Sequence, residues 1–143
     1  MAQFHSYEFE IGDRIFGDPE PDGLIGVPGL VDDRAVKLSS VLAKVGAKAI
    51  YTYDFGDNWQ HEITIRRISA RIGSESCAVC LDGDRQCPPE DCGGTEEFSY
   101  FWRTMTDRYH SQPRKFRRWF GGDFDPMAFS LTDVNSKLTR MPR

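Results

Sequence analysis

The chain lacks the marks of a membrane protein, a secreted protein and the common enzyme classes. None of its 143 residues falls in an apolar run of about 18, the length a spanning helix needs, so no membrane span is expected and no membrane among its partners. The opening Met1-Ala2-Gln3-Phe4-His5 carries neither the charged nor the apolar segment of a secretory signal, so the expected location is cytoplasmic. No phosphate-binding GxxxxGK[ST] loop, dinucleotide GxGxxG fingerprint, HExxH or GxSxG occurs, so the familiar nucleotide and hydrolase signatures are absent. There is no internal repeat and no low-complexity segment. Basic residues are scarce at the front: residues 1–102 hold 9 Lys/Arg against 18 Asp/Glu, a balance of −9. Residues 103–143 reverse this with 9 against 4, a balance of +5.

What is present is enough to fold. Apolar residues make up 39% and aromatics 13%, and the length suits a single domain with one sizeable core. From Phe4 to Ile11, Tyr7, Phe9 and Ile11 alternate with polar residues, the period of a half-buried strand. Arg14-Ile15-Phe16 reads as a short partner strand, and the Gly- and Pro-rich stretch Gly17–Gly29 as a loop. Val36, Leu38, Val41, Leu42 and Val45 recur at helical spacing between Asp32-Asp33 as N-caps and Gly46 as a terminating glycine, so a helix is expected there. Tyr51–Phe55 and Trp59–Ile65 alternate on either side of Gly56-Asp57-Asn58, a hairpin signal. Tyr53, Phe55, Trp59 and Ile63 are expected in the core, with Phe101, Trp102 and Met105 from an aromatic helical stripe, Phe98 to Tyr109, that opens after Gly93-Gly94. A short basic helix, Arg114–Phe120, and a last helix capped by Ser130 follow. Hairpins and then helices predict an α+β fold: a mainly antiparallel sheet with helices packed on one face.

The chemistry concentrates in four cysteines, the only ones in the chain: Cys77-x2-Cys80-x6-Cys87-x4-Cys92. Four thiolates so close can converge on one tetrahedral ion, and zinc favours such closed structural sites. Free thiols and a disulfide or redox use are the other readings; a reducing cytosol favours metal over disulfide. Four protein ligands leave no open position for a catalytic water.

Three further groups carry candidate chemistry. Asp54, Asp57, His61 and Glu62 resemble acid/base machinery, but strand parity puts Asp54 and His61 on opposite faces, so a hairpin turn with a satisfied histidine is the simpler reading. Glu90 and Asp91 can bind a cation or accept loop and helix-start amides. Arg114, Lys115, Arg117 and Arg118 beside Trp119 have the make-up of a phosphate-binding, base-stacking patch. The plainer alternative is a solvated helix face with Phe116, Trp119 and Phe120 turned inward, and the acidity of the whole chain favours it.

Three blocks, YTYDFGDNWQHEI, CLDGDRQCPPEDCGG and FDPMAFSLTDVNSKL, resemble in order and spacing the plasmid pRiA4b ORF-3-like family. The resemblance spans nearly the whole chain. It implies an α+β domain of plasmids, mobile elements and many prokaryotic genomes, and brings no established activity with it. It also implies a further strand and helix ahead of the block matched by FHSYEFEIGDRIFG, and a cysteine set in which Cys80 and Cys87 are more general than Cys77. The functional expectation is a non-enzymatic accessory or interaction domain with a structural zinc and an unknown protein partner. A nucleic-acid-binding module using the basic C-terminal third is the alternative, and a metal-dependent hydrolase using the carboxylates comes third.

Overall fold

In the computed structural model, residues 6–19, 28–70, 78–107, 109 and 113–140 are described. They form an α+β fold whose contacts divide the chain into two compact units: residues 1–70 with 93–95, and residues 71–92 with 96–143.

The first unit is a five-stranded sheet of order β3-β2-β1-β4-β5. Its strands are β1 (Tyr7–Ile11), β2 (Arg14–Gly17), β3 (Leu30–Asp32), β4 (Lys48–Tyr53) and β5 (Trp59–Thr64). All neighbours are antiparallel except β2 and β3, which run parallel. The register Phe16–Phe9–Tyr51–His61 lays one aromatic row across the sheet. Phe9 stacks on Tyr51 at 4.7 Å, and Tyr51 lies 5.6 Å from the His61 ring. The period-2 pattern of β1, β4 and β5 is therefore realised as one shared face. Phe16, Leu42 and Ala49 are its buried apolar residues. The start expected at Phe4 lies outside the described residues, as do residues 20–27 of the expected loop.

The helix expected from Asp32 to Val45 does not form. Leu30–Asp32 pairs as β3, a 3₁₀ turn covers Asp33–Ala35, and only a single turn, α1 (Leu38–Val41), is α-helical. Val36 is extended at φ −123°, ψ 130°. Three valines and the pair Ser39-Ser40 make a poor helix, and the Ser40 hydroxyl donates to the Lys37 carbonyl at 2.7 Å. Of the apolar stripe only Leu42 is buried, while Leu38 and Val45 are exposed. Gly46, at φ +85°, is the bend into β4, its N–H donating to the Ile65 carbonyl.

The second unit is built on α2 (Gly94–Thr106), α3 (Pro113–Phe120) and α4 (Leu131–Leu138). Phe101 is 1% exposed. The rings of Phe98, Phe116, Trp119, Phe120 and Phe124 lie 4.9–6.2 Å from it. The predicted aromatic stripe thus forms the core of this unit, but α2 stops at Thr106 and Tyr109 is exposed beyond it. Pro113 opens α3, where its missing N–H costs nothing. Ser130 caps α4 as expected, its hydroxyl accepting the Asp133 N–H at 3.2 Å. Tyr53, Trp59, Ile63, Trp102 and Met105 are half-buried rather than core, and Phe55 sits exposed in the hairpin turn.

Candidate functional site

Two of the candidate carboxylates, Asp54 and Asp57, lie in the hairpin turn between β4 and β5. Asp54 and Asn58 both adopt positive φ, 55° and 53°, and the Asn58 N–H closes the turn on the Asp54 carbonyl at 2.6 Å. The Asp54 carboxylate accepts the Gly56 and Asp57 N–H groups. The Asp57 carboxylate accepts the Gly93 N–H at 3.0 Å. A Cβ on Gly94, itself at φ +79°, would stand 2.5 Å from the Asp57 carbonyl oxygen. The glycine pair after the last cysteine is thus clasped to the hairpin turn, which ties two of the quoted sequence blocks to each other physically. Glu62 pairs with Lys48 at 3.0 Å, and the exposed His61 ring meets the Tyr51 carbonyl at 3.3 Å. These groups hold structure and do not form an acid/base pair with one another.

A second polar contact lies at the first residue of β1. The Tyr7 hydroxyl donates to the Asp33 carboxylate at 2.9 Å. Burial, reinforced by that carboxylate, pushes the phenol up to about 12. Asp33 also lines an apolar groove of about 300 Å³ with Phe9, Phe16, Val41, Leu42 and Ile63.

Of the four cysteines, Cys77 lies outside the described residues. Cys80 is fixed by Asn135, which accepts its N–H at 2.8 Å and donates to its carbonyl at 3.0 Å. Its thiol donates to the Asp82 carbonyl at 3.2 Å. The Cys87 thiol is held above the usual range by burial around the sulfur and then by the Glu90 carboxylate, with Lys137 opposing. That is the reverse of the depressed pKa of a reactive cysteine. Among the described residues no three His, Cys, Asp or Glu side chains gather closely enough to share a metal ion.

Where the cysteine loop runs into α2, the second unit opens a hollow of about 280 Å³ lined by Asp91, Cys92, Glu97, Tyr100, Phe101, Phe116 and Trp119. Glu97, Tyr100 and Phe101 fall at i, i+3 and i+4 on α2, and Phe116 and Trp119 at i and i+3 on α3, so each helix offers one face. Phe116 meets Tyr100 at 5.7 Å and Phe101 at 5.6 Å, both edge to face. Trp119, expected in the core, is 48% exposed. The sequence reading named Asp91 and Trp119 separately and missed that tertiary packing joins them; the paired helical spacings were the available signal.

On the rest of α3, Arg114, Arg117 and Arg118 are exposed. Arg117 pairs with Asp123 at 2.7 Å. Arg114 and Arg118 make no ion pair with another described residue, and the Lys115 side chain lies outside the described part.

Against known proteins, the family described as "Plasmid pRiA4b ORF-3-like protein" matches residues 1–133. The chain belongs to this family. A relative in Sinorhizobium fredii (strain NBRC 101917 / NGR234), "Uncharacterized protein y4hQ", is 35% identical over 136 residues, covering 94% of this chain and 68% of that protein. The crystal structure of a protein of unknown function, MM3350 from Methanosarcina mazei Go1, superposes with a TM-score of 0.75 at 32% identity, covering 91% of this chain and 72% of the other. The family match takes in residues of both compact units. Among the described residues no helix is long and apolar enough to cross a membrane.

Proposed function

We propose that the protein is a non-enzymatic interaction domain, serving as an accessory to plasmid or mobile-element genes, and that the aromatic hollow of the second unit is where a partner protein docks. The observation that carries this reading is Trp119, a large aromatic left 48% exposed beside Tyr100 over a buried Phe101 floor. Half-buried tryptophan and tyrosine beside a pocket are the residue types that anchor interfaces. Of the carboxylates a hydrolase would use, Asp54, Asp57 and Glu62 are engaged in turn and strand contacts, which weighs against that alternative at the hairpin. A structural zinc on Cys77, Cys80, Cys87 and Cys92 belongs to the same proposal. It is supported by the spacing of the cysteines and by the anchoring of Cys80 on Asn135, and it requires the described thiols Cys80, Cys87 and Cys92 to close around the ion. A photo-crosslinking residue placed at position 119 in the native host should trap a discrete partner, whereas the same residue at the exposed Lys48 of the sheet should not. Equal trapping at both positions, or none at 119, contradicts the reading.

A second reading, nucleic-acid binding, is favoured by one observation: Arg114 and Arg118 stand exposed on the face of α3 away from the core, without an ion pair among the described residues.

A further inference from the structure

We propose that the hollow of the second unit recognises a quaternary ammonium group, carried as a methylated lysine side chain on the partner; this rests on the hollow being the docking site. Apart from Cys92, the lining divides into two kinds of surface. Tyr100, Phe101, Phe116 and Trp119 supply aromatic rings, with Phe101 at the floor. Asp91 and Glu97 are exposed carboxylates with no ion-pair partner among the described residues. Aromatic faces attract cations through their quadrupole, most strongly when the cation sheds its water readily, and carboxylates beside the rings add net charge of the required sign. Among the described residues no cationic side chain lines the hollow: the described α3 side chains that reach it are Phe116 and Trp119, while Arg117 is held by Asp123. A neutral apolar occupant would need the rings but not the two carboxylates. A volume of about 280 Å³ lies at the small end of ligand sites, which run from about 300 to 1,000 Å³. It suits a side-chain end better than a nucleotide or a whole cofactor, and the hollow is open for the stem of that side chain to leave.

Titration of the full chain with tetramethylammonium, followed by tryptophan fluorescence at constant ionic strength, tests the charge. Tert-butanol, of similar shape and uncharged, is the comparison. Saturable binding of the cation, about tenfold tighter than the alcohol, is expected. The double variant Asp91→Asn/Glu97→Gln should lose most of that preference while keeping its helical circular dichroism. Asparagine tolerates the positive φ of 55° at position 91, so this variant keeps its backbone. A Trp119→Phe variant locates the signal. Equal binding of cation and alcohol, an unchanged preference in the double variant, or no binding of either overturns the proposal. The first of these leaves the hollow as a docking site for an uncharged group, the second removes the two carboxylates from recognition, and loss of the docking reading itself is reported separately by crosslinking at position 119. A peptide bearing trimethyllysine should bind at least as tightly as choline; tighter binding of choline would overturn the protein-borne source.

Discussion

At the residue scale, a few side chains and missing side chains fix the geometry around the site. Gly94 is the sharpest case. Its φ of +79° favours glycine, and the 2.5 Å approach of the Asp57 carbonyl leaves no space for a methyl group. Gly94→Ala should therefore cost about 1–3 kcal/mol or more, read as a lowered midpoint in thermal or denaturant unfolding. Gly122 has nothing within 4 Å of a built Cβ and no positive φ, so Gly122→Ala should change stability by less than about 0.5 kcal/mol. Equal effects at the two glycines would contradict the clasp. Tyr7 gives a test by pH. Its phenol is raised from 10.0 to about 12 by burial and by the Asp33 carboxylate it donates to. The folded state therefore favours the neutral phenol: the stabilisation is complete below pH 10 and is lost as the pH rises from 10 to 12. Absorbance titration should show one tyrosine ionising near 12, and Asp33→Asn should bring it down. All five tyrosines ionising together near 10 would contradict this.

At the scale of elements, α3 separates the readings. Its aromatic residues Phe116, Trp119 and Phe120 fall within one side of the helix, and Arg114 and Arg118 on the other. If the exposed side binds phosphates, the wild type should be retained on heparin at low salt and released steeply as salt rises, with Arg114→Glu/Arg118→Glu abolishing retention. No retention of the wild type at low salt removes the nucleic-acid reading and leaves the aromatic side untouched. The elements also show what was legible beforehand. β1, the β4–β5 hairpin, the start and end of α3 and the Ser130 cap all stand where strong local signals put them, because alternation, turn residues and caps act over a few residues. The span Asp32–Val45 departs from its helical pattern. A three-residue strand is too short to show a period, and Leu30–Asp32 pairs with β2, while in the valine- and serine-rich stripe that follows the Ser40 hydroxyl bonds the Lys37 carbonyl. The hollow was illegible for another reason: residues 91–92, 97–101 and 116–119 meet only after α2 and α3 pack.

At the scale of the whole molecule, membership of the plasmid pRiA4b ORF-3-like family and the shared fold are secure, while the role rests on what the surface presents. Purified protein should carry one zinc per chain if all four cysteines close on an ion. Chelation should then speed amide exchange through residues 80–92 while the Gly93 N–H, held by Asp57, stays protected. Protein that binds no zinc under reducing conditions would leave the cysteines as plain loop thiols. The central claim is that the hollow around Trp119 is where this domain engages its partner. Its most direct test is the affinity of wild type and Trp119→Ala, each confirmed folded, for the partner trapped at position 119, measured by calorimetry. A loss of about 2 kcal/mol or more is the expected result, as for an anchor tryptophan at an interface centre; an unchanged affinity would contradict the account.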